Sequence, residues 1–325
     1  MSARSISTPK STPRREQPGR LEPARRIGLA LAVAALSLTA AALAHPGSGI
    51  GLDRQGRIFF VDTGEGVWVV EADGRLRAHD GPAFHWMALD PASAFGRTNF
   101  THLPSSDMRA VGRDPMVLLS SDFPIAVGTD GALYFAEPGR DRRLHLVRLP
   151  PAGERSDLAV LPAESDGVPL QWLNGIAAGP DGSIYYSENA AVRRIDASGA
   201  ITTVASRMAV EECDQLSHLP EGFSPYLRGI AVAKDGTVFA AANGCRAVVR
   251  IGGDGASTPV LRAEAPYSPT AVAVDGGDLY VLEYLHTDEE DVPDRKVWVP
   301  RVRKLAADGT VSLVVTVDRG AKPAR

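Results

Sequence analysis

The sequence predicts an all-β protein, a six-bladed β-propeller of four-stranded antiparallel blades preceded by a signal peptide. Three observations carry that expectation. The first is the stretch LNGIAAGPDGSIYYSENAAVRRIDASGAITTV at 173–204, which reads as four short strands separated by turns at Asp181-Gly182 and Ser198-Gly199. Asp-Gly is the strongest short hairpin signal, and the β-branched and aromatic residues between the turns suit a pleated surface. The second is that this meander recurs: GIGLDRQGRIFFVD from Gly49, PIAVGTDGALYFAE from Pro124, GIAVAKDGTVFAAA from Gly229 and TAVAVDGGDLYVLE from Thr270. The third is a second glycine turn late in each copy, at Gly74, Gly153, Gly199, Gly255 and Gly309. A four-stranded unit repeating every ~40–50 residues is a propeller blade, because one such meander cannot bury both of its faces without neighbours.

Taken in order, residues 1–44 stand apart. Arg14, Arg15, Arg20, Arg25 and Arg26 form a basic leader, 27–43 is an uninterrupted run of apolar and small residues, and Ala42-Leu43-Ala44 is a cleavage signal. As a helix that run reaches only about 25 Å, short of the ~30 Å hydrocarbon core, so removal rather than anchoring is expected. The leader holds seven basic and two acidic residues, and its removal takes the net charge from −4 to −9. A negative chain without a basic run excludes nucleic acid as partner, and no later stretch is apolar enough to span a membrane. Residues 45–325 then form a single propeller, exported to the periplasm or medium and monomeric.

Blade one begins at Gly49. The gap from its first turn at Gly56 to the next clear one at Gly131 is wide enough for a hidden blade, and FHWMALDPASAFG from Phe84, turning near Pro91, supplies blade two. Blades three to six follow from Pro124, Asn174, Gly229 and Thr270. The ring is expected to close by packing blade six on blade one, without a strand exchanged between them.

Two cysteines, Cys213 and Cys245, are expected to form one disulfide in an exported chain. In a propeller the loop leading into a blade's first strand and the loop after its second strand share one face. Cys213 lies in the long 208–226 loop before blade five and Cys245 just after that blade's second strand, so both fall on that face.

The same face gathers polar residues. Ser48, His85, Asp122, Asn174, Arg228 and Thr270 precede first strands; Asp62, Glu137, Glu188, Asn189, Asn243 and Glu283 follow second strands. The 208–226 loop and the acidic flap LHTDEEDVPDRK at 285–296 lengthen the same mouth, and long loops on a rigid scaffold carry function. Of these residues His85, Asp122, Glu137, Asn174, Glu188, Arg228 and Glu283 are the candidate ligand-binding set. Carboxylates and Asn can hold a hard cation, His85 can act as a base, and Arg228 can grip a carboxylate in two places. Each also has a structural reading: Asp and Asn form turns, and the Glu that ends Tyr-x-x-Glu recurs with the repeat. There is no G-x-S-x-G, no H-E-x-x-H, no phosphate loop and no zinc-type cysteine cluster, so no catalytic residue is named.

The GIGLD, PIAVG, GIAAG and GIAVA openings, each before a glycine turn and an aromatic-rich strand, resemble NHL repeats. Blade four, LNGIAAGPDGSIYYSEN, is also similar to the Asn-Gly blade of the senescence-marker-protein/gluconolactonase family. That resemblance implies a metal-dependent lactone hydrolase with a divalent cation such as calcium in the central well. Asn174 matches the family's Asn, and Asp122 occupies a comparable place one blade earlier. Where the family has its Asp, one blade later, this chain has Arg228, whose charge opposes a cation. The segments DGALYFAEPG and DGSIYYSEN resemble virginiamycin B lyase repeats too, but of the two histidines that resemblance requires only His286 is present. The residues therefore favour a propeller that binds a small, anionic molecule or a protein partner, with the lactonase-like hydrolase as the alternative.

Overall fold

The computed structural model describes residues 46–79, 81–97, 108–121, 123–213, 224–285 and 298–318. The leader, Asp122, His286, the centre of the 208–226 loop and the acidic flap lie outside them. Blade one is the meander β1 (Ile50–Leu52), β2 (Ile58–Asp62), β3 (Gly66–Val70) and β4 (Leu76–His79). Blade two holds β5 (Trp86–Asp90), a one-turn helix α1 (Ala94–Arg97), β6 (Met108–Val111) and β7 (Met116–Ser120). Blade three is β8 (Ile125–Val127), β9 (Leu133–Pro138), β10 (Leu144–Leu149) and β11 (Ser156–Val160), followed by a small hairpin of β12 (Glu164–Ser165) and β13 (Val168–Pro169). Blade four is β14 (Gly175–Ala178), β15 (Ile184–Glu188), β16 (Ala191–Ile195) and β17 (Ile201–Ala205). Blade five is β18 (Leu227–Val232), β19 (Val238–Ala242), β20 (Ala247–Ile251) and β21 (Ser257–Arg262); blade six is β22 (Tyr267–Asp275), β23 (Asp278–Leu285), β24 (Pro300–Leu305) and β25 (Val311–Thr316).

The turns form for the reason their composition suggests. In blade four Gly182 takes a φ of 80°, in the left-handed region that glycine enters without a steric penalty. Just before it, Asp181 Oδ1 accepts the Ser183 N–H at 3.1 Å. The same Asp-capped turn recurs at Asp130, Asp235, Asp254 and Asp308. Behind several first turns a cation faces an aromatic ring across the second and third strands: Tyr134 opposite Arg148, Tyr185 opposite Arg194, Phe239 opposite Arg250 and Tyr280 opposite Lys304. In blade three the turn aspartate joins that pair, with Asp130 Oδ2 accepting from Tyr134 Oη at 3.0 Å and Arg148 Nε at 2.8 Å.

Six apolar clusters fill six seams. Phe59 and Val61 face Met87 and Leu119 of blade two, while their neighbours Ile58 and Phe60 face Leu282 and Tyr284 of blade six. The remaining clusters join blades two and three, three and four, four and five, and five and six. A blade's middle strands are buried on both faces, so IFFVD and GVWVV are apolar throughout instead of alternating. Blade six is completed by its own four strands, and Tyr284 Oη donates to the Val61 carbonyl at 2.6 Å across the closure. The ring shuts by packing, as the register of the repeats requires.

Blade two differs from the expected meander. Among the described residues it has three strands, in the order β5-β7-β6. The cause is Asp90. Its carboxylate accepts the N–H of Ala92 at 3.2 Å and of Phe95 at 2.8 Å, turning the chain into α1 where a glycine hairpin would have sent it back along β5. The chain then returns at the outer edge as β6, and β7 fills the middle. Cys213 and Cys245 are bonded, with S–S 1.98 Å. Cys245 ends the 3-10 turn Asn243–Cys245 that follows β19, so the bridge ties the loop before blade five to that blade and contributes about 3 kcal/mol in the loop-entropy account.

On the outer part of blade three, His145 stands between two carboxylates, Nδ1 2.8 Å from Asp157 Oδ2 and Nε2 3.1 Å from Asp141 Oδ1. Hydrogen bonds to Asp157 and then Asp141 hold the imidazole's pKa above its ordinary value. The stabilisation is therefore full below the unfolded pKa of about 6.5 and is lost as pH rises through the higher folded pKa. In urea titrations His145→Asn should lower the midpoint at about pH 5.5, and the two midpoints should converge near pH 9. A difference that persists unchanged at alkaline pH would show that charge is not what the cluster contributes.

Candidate functional site

Two rings of polar residues were expected at one mouth, and the structure separates them. Those at the ends of second strands are bonded mainly within their own blades. Asp62 caps its own hairpin, accepting from Gly64 N–H at 2.8 Å and Trp68 Nε1 at 3.2 Å. Glu137 pairs with Arg155 across blade three, partly exposed. Glu188 accepts Arg193 Nε at 3.0 Å, and Arg193 reaches on to Ser165 Oγ in the β12–β13 hairpin. Asn243 donates to Ser268 Oγ and the Pro269 carbonyl, both at 3.0 Å, closing the seam between blades five and six. Glu283, wholly buried, is held by Arg301 and Arg303.

Of the residues expected ahead of first strands, Ser48 and Asn174 stand before β1 and β14, while Arg228 and Thr270 lie inside β18 and β22, which begin earlier than the repeat pattern suggests. Asn174 is buried and donates from Nδ2 to Asn189 Oδ1 at 3.4 Å. His85 is half-buried, with Nδ1 2.5 Å from the Ser121 carbonyl. Ser48 and Thr270 are buried, and among the described residues neither hydroxyl has a hydrogen-bond partner. Arg228 is buried as well; its Nη2 donates to the Pro46 carbonyl at 2.7 Å, and its own carbonyl accepts from Ser187 Oγ at 2.7 Å. Burial lowers the pKa of Arg228, yet a guanidinium starts so high that it remains a cation at neutral pH. Asp122 lies outside the described residues.

The chemistry of this mouth suits acceptors of hydrogen bonds. A guanidinium and two hydroxyls are hydrogen-bond donors, and inside a partly dry site donors act more strongly than in water. The cation implied by the family resemblance fits the described residues poorly. No three His, Cys, Asp or Glu side chains among them converge as a metal set, and Glu188 and Glu283 are already neutralised by arginines. Buried Arg228 adds repulsion.

Sequence reasoning missed the segment that closes this mouth. Residues 46–48 are buried, and the Pro46 carbonyl accepts a hydrogen bond from Arg228. The signal was Gly47, the one residue type that could pass there. Open space lies at the opposite end of the channel, a cavity of about 360 Å³ where first strands run into their turns, lined by Leu52, Asp53, Arg54, Leu89, Val127 and Asp275 among others. Its buried carboxylate, Asp53, is already taken by Arg57 Nε at 2.5 Å and two backbone N–H groups.

No family model matches the chain, and no curated protein matches it. Among solved structures it is similar to a streptogramin B lyase, at 15% identity over 84% of this chain and 84% of that one, TM-score 0.48. It is similar to a gluconolactonase from Xanthomonas campestris, at 16% identity over 72% and 82%, TM-score 0.47. A third likeness is to regucalcin, a calcium-binding protein from Agrobacterium tumefaciens, at 17% identity over 73% and 81%, TM-score 0.45. At identities of 17% or less and TM-scores below 0.5, these likenesses assign the chain no activity, ligand or metal.

Proposed function

We propose that this chain is an exported, monomeric NHL-type propeller that binds a small anionic molecule at the mouth ringed by Ser48, Asn174, Arg228 and Thr270. The observation that carries the reading is the buried Arg228 guanidinium together with two buried hydroxyls that have no partner among the described residues. Export is supported by the leader and by the Cys213–Cys245 disulfide, a bond that persists in oxidising compartments. The function is recognition. A hydrolase of the lactonase type would need an Asp ligand to its cation where this chain has Arg228, and the donors at hand favour the opposite charge.

Calorimetry tests this. Succinate, citrate and inorganic phosphate are titrated into the unmutated protein and Arg228→Ala. Losing a charge-assisted hydrogen bond of ~1.5–3 kcal/mol should weaken the anion bound best by about 10-fold or more. Arg228→Asp should lose the anion and gain calcium binding alongside Asn174. Tight calcium binding by the unmutated chain, abolished by Asp122→Ala or Asn174→Ala, would overturn the proposal in favour of a metal-dependent hydrolase.

A further inference from the structure

At the end of the channel opposite the mouth, the cavity of about 360 Å³ is near the lower limit for a small-molecule site. Leu52, Leu89 and Val127, half-buried where the first strands of blades one, two and three end, give it an apolar lining, and Pro91 and Pro115 extend it. Two charges face the same space. Arg54 comes from the first turn of blade one and Asp275 from the end of β22 in blade six. Both are exposed, and among the described residues neither side chain makes an ion pair or a hydrogen bond, with the other or with any third group. Asp53 beside them is already satisfied: its carboxylate accepts from Arg57 Nε at 2.5 Å and from the N–H groups of Gln55 and Arg57, both at 2.9 Å. Those bonds fix the turn that carries Arg54. Arg57 Nη2 also donates to the Asp114 carbonyl at 2.7 Å, which braces that turn against the one bearing Pro115. The walls are therefore set before anything binds, with one cation and one anion left over.

We propose that this cavity is a second binding site, for a free amino acid with an aliphatic side chain held as its zwitterion. It shares no residue with the mouth and does not depend on what the mouth binds. The Arg54 guanidinium offers a carboxylate two parallel N–H donors, and Asp275 offers an ammonium group the acceptor it needs. The spare charges of the site sum to zero, as do those of the zwitterion. A simple carboxylate would leave Asp275 unmatched, and a simple amine would leave Arg54 unmatched. The side chain goes against Leu52, Leu89, Val127 and the two prolines, where its apolar surface leaves water. A cavity of this size suits a single amino acid better than a longer peptide.

Calorimetry on the purified protein tests this with leucine, valine and methionine, and with glycine and N-acetylleucine as comparisons. At least one of the first three should bind, one molecule per chain, with a Kd below about 1 mM. Glycine, which lacks the side chain, and N-acetylleucine, which lacks the ammonium group, should each bind about tenfold more weakly or worse. Arg54→Gln and Asp275→Asn should each weaken the best-bound amino acid by a similar factor. Both side chains are exposed and without partners among the described residues, so both variants should melt as the unmutated protein does. Three results would overturn the site: no binding of leucine, valine or methionine below about 10 mM, undiminished binding in both variants, or N-acetylleucine bound as tightly as leucine.

Discussion

Replacing Glu283 with Ala is expected to lower the unfolding free energy by about 3–5 kcal/mol, the range for removing one partner of a buried charge pair. The side chain is wholly buried on β23 and holds two arginines from β24. Arg301 Nε donates to Oε2 at 2.6 Å, and Arg303 Nε lies 3.0 Å from both oxygens. Arg301 is further stacked on the Tyr267 ring, 3.6 Å from its centroid, and Arg303 Nη2 donates to the Arg262 carbonyl of blade five at 2.9 Å. Without the carboxylate, two like charges two residues apart on one strand face would be left mostly desolvated and held in place by those other contacts. Glu283→Gln keeps the shape and one acceptor, so it should recover part of the loss. In guanidinium titrations the midpoint should fall with little change in slope. A cost below about 1 kcal/mol for Glu283→Ala would mean that the arginines re-pair or reach water, and that this cluster does not fasten blade six.

That cluster also shows where sequence reasoning stops. Glu137, Glu188 and Glu283 occupy one repeat position, and the repeat was legible because its turns need glycine in the left-handed region and an Asp to cap them. What each carboxylate meets depends on the chain that follows it, and there the blades diverge: Arg193 lies one tight turn away from Glu188, Arg155 stands just before the fourth strand of blade three, and Arg301 and Arg303 arrive only after the acidic flap. A ligand-binding carboxylate and one neutralised by its own blade look alike until that partner is placed. Blade two was visible only as spacing, since Asp90 caps a helix with the same residue type that caps hairpins elsewhere. The arm at 46–48 reads as loop because Pro, Gly and Ser are loop residues, and its seating depends on blades far away in sequence. Asn174 directly precedes β14 as expected, whereas Arg228 is the second residue of β18, because that strand begins two residues earlier than the glycine pattern suggests.

The glycines that open the first strands make the sharpest remaining test, because the GI motif that revealed the blades has a geometric cause. Near the channel the inner strands crowd together. A Cβ on Gly49 would lie 2.6 Å from the Met87 nitrogen, one on Gly229 2.8 Å from the Ala271 Cα, and one on Gly175 2.5 Å from the Arg228 carbonyl oxygen. Each clash is with the backbone of the next blade, which cannot rotate away as a side chain can. Gly175→Val is therefore expected to cost about 3 kcal/mol or more, at the upper end of overpacking, because β14 and β18 must separate. It should also disturb the mouth. The Arg228 carbonyl that would be pushed is the acceptor of Ser187 Oγ at 2.7 Å, so Arg228 should shift and become more reactive to phenylglyoxal. Gly56→Ala serves as the comparison. Gly56 has a φ of 76°, and a Cβ added there would meet nothing within 4 Å, so only backbone strain of about 1–2 kcal/mol applies. If Gly175→Val were no more damaging than Gly56→Ala, close approach of the inner strands would not be the reason for glycine at the start of these blades.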